Sequence, residues 1–96
     1  MKNKSIITDD NKHCYLCGST RHLECHHIFG GAYRTKAEHY GLTIALCHSC
    51  HNEPPFGAHH NAEVMYRLKQ LGQEKAMKKY GWTTDDFRAT FGKSYI

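Results

Sequence analysis

The sequence carries five cysteines and nine histidines in 96 residues, and these are where chemistry can reside. Four of the cysteines form two Cys-x-x-Cys pairs, Cys14-Tyr15-Leu16-Cys17 and Cys47-His48-Ser49-Cys50. Each pair makes a knuckle with both sulfurs turned into one site, so two pairs supply the closed tetrahedral shell of a structural Zn2+, with no position left for water. No βαβ pattern surrounds either pair, which argues against a thioredoxin-like redox motif, and a reducing compartment argues against disulfides. Cys25 is left over. Unpaired cysteine behaves as a small hydrophobe, so burial is its expected fate.

The histidines fall in groups that the cysteines bring together. His26-His27 ends an apolar run, His51 follows the last cysteine, and His59-His60 comes after a proline and glycine stretch. Zinc bound by the cysteines would pin these segments to one another. Neutral imidazoles from His26, His51 and one of the pair His59 and His60 can then hold a second divalent ion, with positions open for water and a phosphate oxygen. His27 would remain unligated beside that ion. An imidazole that titrates near neutrality is suited to take a proton from water attacking phosphorus. His13, His22 and His48 read as ordinary surface residues.

The elements that must position these groups follow from pattern. Residues 1–12 are polar and without period, and read as a mobile or weakly docked arm. Leu23-Glu24-Cys25-His26-His27-Ile28 reads as a short strand that Phe29-Gly30-Gly31 ends, and residues 29–41 as a glycine-bounded loop. Leu42-Thr43-Ile44-Ala45-Leu46 is β-rich and delivers Cys47 to the zinc. Pro54-Pro55-Phe56-Gly57 blocks a helix. A long helix is expected over 58–80, with Met65, Leu68, Gly72, Ala76 and Tyr80 on one stripe; Gly72 would mark a close contact or a kink. Gly81 stops it. Thr83 or Thr84 caps a last short helix that buries Phe87 and Phe91, with Gly92 near its C-cap. No internal repeat is present.

Length and composition set the bounds. Ninety-six residues make one domain with a modest core, for which metal binding contributes folding free energy directly. With 40% hydrophobic and 23% charged residues, the chain is neither disordered nor low in complexity. No run approaches a membrane span and the first ten residues lack the apolar core of a signal peptide, so a cytoplasmic protein with no membrane partner is expected. The net charge of +4 favours an anionic partner without proving one.

The ordered set Cys14-x-x-Cys17, Leu23-Glu24-Cys25-His26-His27-Ile28, Leu46-Cys47-His48-Ser49-Cys50-His51-Asn52 and Gly57-Ala58-His59-His60 resembles the HNH endonucleases, and among them most closely the phage-encoded and Ref-type nucleases. The resemblance covers residues 14–60. It implies a ββα-metal core in which His26 and His51 bind a catalytic divalent ion, Mg2+ or Mn2+, and His27 is the general base. The Gly-x-His spacing falls on His59 as the third ligand. Two features depart from the family pattern. The middle asparagine is expected nine residues before His51, where Leu42 stands, and no asparagine lies between His27 and His51. His39 or Tyr40 is the nearest polar candidate for bracing the loop, and His39 is preferred because imidazole both donates and accepts hydrogen bonds. Pro55 occupies the place, four residues after His51, where many members carry their last metal histidine.

These readings combine into a small α+β protein, a zinc-stabilised ββα-metal, treble-clef-like core with a C-terminal helical extension. The expected parts are an arm over 1–12, a zinc-bound core over 13–60, and helices over 61–96 packed on the same domain. The expected activity is metal-dependent nicking of DNA, with Arg34, Lys36 and Lys69 as DNA contacts. The partners expected are DNA and proteins of phage packaging or recombination, around a monomer or homodimer. The competing readings are a zinc knuckle that binds nucleic acid without cutting, and a scaffold in a packaging or recombination complex.

Overall fold

A computed structural model describes residues 4–96, so the first three residues of the expected arm lie outside it. Two strands form the centre. β1 (Leu23–His27) and β2 (Thr43–Cys47) pair antiparallel, with Leu23 opposite Cys47 and His27 opposite Thr43. Every residue of β2 is buried, which is why its sequence is a continuous apolar run rather than an alternating one.

The N-terminal segment explains how β2 is covered on its other side. Ser5 donates its hydroxyl to the Thr43 carbonyl at 2.6 Å, and the Tyr15 amide donates to the Ala45 carbonyl at 2.8 Å. The Ile6 amide adds a bond to the Gly41 carbonyl at 2.9 Å, and Ile7 enters the core. Residues 5–7 are therefore docked, the second of the two states expected of the arm. Their hydrogen bonds run through backbone and hydroxyl groups, which leave no hydrophobic period in the sequence.

Between the strands, residues 29–41 are not a loop throughout. A 3₁₀ turn (Gly31–Tyr33) leads into α1 (Arg34–His39), which buries Ala37. No side chain caps α1, so its start carries no sequence signal. β2 runs directly into α2 (His48–Asn52), which holds Cys50 and His51.

The expected long helix starts later than residue 58. Ala58–His60 is a separate 3₁₀ turn, and α3 (Ala62–Tyr80) begins behind Asn61, whose side-chain oxygen accepts from the Val64 amide. α3 ends where Gly81 takes a left-handed conformation, φ 67°. Gly72 marks a close contact: a Cβ there would lie 2.7 Å from Ile28 Cγ2. The next residue, Gln73, is fully buried. It is satisfied by Ser94 and by the Tyr95 amide, and so fastens the C-terminal residues to α3.

α4 (Thr84–Phe91) opens with a reciprocal capping box between Thr83 and Asp86. Its Phe87 and Phe91 rings pack on Phe29 at centroid distances of 5.4 and 4.6 Å. Phe29 and Ile28 directly follow His27 in sequence, so the helical half of the molecule anchors the end of β1. Among the described residues, no helix is long and apolar enough to cross a membrane.

Candidate metal centres

The strand register creates the first centre. Leu23 lies opposite Cys47, so the turn preceding β1 is held against the end of β2 and the start of α2. On that turn the Gly18 amide bonds the Cys14 carbonyl at 2.9 Å. The sulfurs of Cys14, Cys17, Cys47 and Cys50 all lie within 4.8 Å of one another, with Cys17 and Cys47 at 3.6 Å. Four sulfurs about 2.3 Å from a tetrahedral Zn2+ stand about 3.8 Å apart, so this cluster can hold a structural zinc. The thiols of Cys17 and Cys50 are pushed up and that of Cys14 is brought down. Burial raises the Cys14 thiol, but hydrogen bonds from the backbone at Cys47, Cys17 and Leu16 outweigh that and bring it to about 6. Cys25 lies outside the cluster. It is half-buried rather than in the core, and its thiol is pushed up by burial and by the Glu38 charge.

The second cluster is built from imidazoles. His26 on β1, His51 on α2 and His59 on the 3₁₀ turn place ligand nitrogens within 4.8 Å of one another. His26 is 1% exposed and neither of its ring nitrogens has a hydrogen-bond partner. A buried polar group left unpaired costs about 1–3 kcal/mol, which a bound cation would offset. Burial, reinforced by the charges of His51 and His59, depresses His26 to about 3, so it is a neutral ligand at physiological pH. The Nε2 atoms of His51 and His59 are 3.0 Å apart. That is about the separation of two nitrogens bound at right angles to one ion at 2.1 Å. The donor set thus fits a divalent metal. His60 is exposed and is not part of the cluster.

Glu24 controls the orientation of His51, and the sequence reading gave it no role. Its carboxylate accepts from His51 Nδ1 at 2.8 Å, His48 Nδ1 at 3.0 Å and Asn52 Nδ2 at 3.0 Å. Those bonds, His51 first, hold its carboxyl down to about 2. With Nδ1 protonated toward Glu24, the Nε2 lone pair of His51 faces His59 and His26. The available signal was strand alternation, which puts Glu24 on the same face as His26, two residues away.

A pocket of about 220 Å³ opens beside this cluster, lined by His27, Arg34, Gly30 and Gly31 together with His51 and His59. His27 Nε2 stands 3.8 Å from Glu38 Oε1. Burial lowers the His27 pKa, Arg34 adds to the effect and Glu38 opposes it. Arg34 and Glu38 are four residues apart on α1 and share a face. His39 projects elsewhere, with its ring edge-on to Tyr40 at 4.8 Å, and does not line the pocket. Glu38, rather than His39, is the polar side chain that α1 brings to His27.

The remaining basic residues are dispersed. Lys36 donates to the Thr90 carbonyl at the end of α4 at 3.0 Å and lies over the Tyr33 ring. Lys69 sits 5.3 Å from the Tyr95 ring and adds to the depression of His26. A larger hollow of about 720 Å³ lies beside Cys47 and His48, away from His26 and His59, and mixes Arg21 with Glu24 and Glu53. It gathers no convergent ligand set. No family model, curated protein or solved structure matches the chain.

Proposed function

We propose that the protein is a metal-dependent endonuclease of the HNH type, which hydrolyses a phosphodiester bond of DNA in one strand per event. The observation that carries this reading is the buried His26, with both ring nitrogens unpartnered, set against His51 and His59 beside a pocket that also holds His27 and Arg34. A divalent ion held by His26, His51 and His59 would supply positive charge to the scissile phosphate and the leaving 3′-oxygen.

The chain's own residues supply the rest. His27, kept neutral by burial, accepts a proton from the attacking water as its oxygen bonds to phosphorus and the P–O3′ bond breaks. The Glu38 carboxylate, 3.8 Å away, stabilises the imidazolium formed at His27, a polar role that the buried Leu42 cannot fill. Arg34 neutralises a phosphate oxygen within the same pocket. Glu24 keeps the His51 lone pair directed toward the ion. The four cysteines, with zinc, fix α2 against β1 and thereby set the distance from His51 to His26.

The test is nicking of supercoiled plasmid by zinc-loaded protein across a Mg2+ and Mn2+ titration. Open circles that require the added ion and vanish with chelator are the expected result. Intact plasmid at ion concentrations that saturate the second site would refute the reading.

A further inference from the structure

The segment between α2 and the 3₁₀ turn, residues 53–57, joins the element carrying His51 to the element carrying His59. Phe56 stands on it with its side chain outward. It is 75% exposed, whereas the other exposed large apolar residues lie between 37% and 55%. Among the described residues its ring meets no other aromatic ring, although the molecule is rich in such contacts.

The backbone beneath the ring is firmly held. The Gly57 amide donates to the Glu53 carbonyl at 2.6 Å, and Asn61 Nδ2 donates to the Pro55 carbonyl at 3.2 Å. Asn61 caps α3 with its other side-chain atom, so one residue ties this segment to the long helix. Gly57 is packed so closely that a Cβ would lie 2.6 Å from Glu53 backbone atoms. Phe56 is thus a large apolar ring presented to solvent on a hydrogen-bonded segment that, along the chain, joins the elements carrying two candidate metal ligands.

We propose that Phe56 is a stacking platform for a nucleobase of the bound strand, and that the preferred substrate is a strand whose bases are locally unpaired. The proposal rests on the nuclease reading above. A single ring on a narrow segment offers far less than the roughly 800 Å² per partner of a stable protein interface, but it matches the area of one base. In a duplex the bases are already stacked on one another, so the ring gains a partner only from a single strand, a gap or a flipped base.

The experiment uses the full zinc-loaded chain as wild type, Phe56→Ala and Phe56→Trp. The probe is a single-stranded oligonucleotide containing 2-aminopurine, alone and annealed to its complement. Binding and fluorescence are read without Mg2+, and cleavage with it. Wild type should quench 2-aminopurine in the single strand. Phe56→Ala should lose the quench and weaken single-strand binding by about tenfold, with duplex binding nearly unchanged, while Phe56→Trp keeps both. The log-log salt slope should be the same in all three proteins, since no phosphate contact is altered. If Phe56→Ala matches wild type on both probes while cleavage proceeds, the platform is wrong and the nuclease reading stands. If wild type quenches and the alanine variant does not, yet neither cuts in Mg2+ or Mn2+, the platform stands and the nuclease reading falls. If wild type binds neither probe, both are overturned.

Discussion

The cysteine cluster and the histidine cluster share α2, but the sulfurs also come from the turn before β1 and the end of β2, the imidazoles from β1 and the 3₁₀ turn, and the two are finished differently. Four sulfurs converge with nothing missing, and the Cys14 sulfur is already held toward the thiolate by backbone amides. Three imidazoles converge with one side open to a pocket, and the most buried of them has no protein partner at all. A closed donor set serves the fold, whereas an open one leaves room for a reacting group. Cys50 and His51 are adjacent in sequence, so one short helix carries a member of each set.

The sharpest way to break this contrast is to open the closed site. Cys47→Ser should abolish cooperative folding, because the metal contributes folding free energy in so small a domain. Loss of the thermal transition by circular dichroism, together with zinc release, is the expected result. A folded variant that retains zinc would show that the two clusters do not differ as argued.

The next test separates neighbours on β1. His27→Ala should keep zinc, fold and affinity for the second metal but lose cleavage by about 10²–10⁴-fold, the range of a general base. His26→Ala should lose cleavage and also metal affinity. Single-turnover nicking alongside a Mn2+ titration checks both, and equal metal affinity in the two variants would contradict the assignment. A smaller effect is expected from Glu24→Gln, which preserves shape but weakens the hold on His51. Affinity for the second metal should drop by roughly 10–100-fold, as for other outer carboxylates of metal sites, with activity recovering at high Mn2+. Unchanged calorimetric affinity would remove Glu24 from that role.

The smallest change expected is Gly72→Ala. The new methyl would press on Ile28, which follows His27, at a cost of about 1–3 kcal/mol, partly offset by about 1 kcal/mol of helix propensity. Urea unfolding should show a modest net loss with full zinc content. A stabilised variant would mean that Ile28 yields readily.

What could be read from the sequence depended on how local each signal was. Cys-x-x-Cys spacing and the capping residues of α4 are short-range patterns, and the structure has both where they were expected. The two strands were likewise visible within a residue. α1 was hidden because it has six residues and no capping side chain, and missing it misdirected attention to His39 instead of Glu38. Starting the long helix at residue 58 overlooked Asn61, a good N-cap type, and placed His59 on the wrong kind of turn. Glu24 and the buried Gln73 escaped for another reason. Their partners lie 24 to 28 and 21 to 22 residues away, so no window of sequence shows a polar residue about to be satisfied.

The docking of Ser5 and Tyr15 along β2 has a consequence for how copies of this chain behave toward one another. Thr-Ile-Ala-Leu-Cys is the kind of short, uncharged, β-prone segment that adds to a neighbour's sheet when its edge is bare. Two hydrogen bonds from the N-terminal segment occupy carbonyls on that edge, and Ile7 is buried in the core. Acceptors that a second copy of the chain could otherwise pair with are thereby already taken within the molecule.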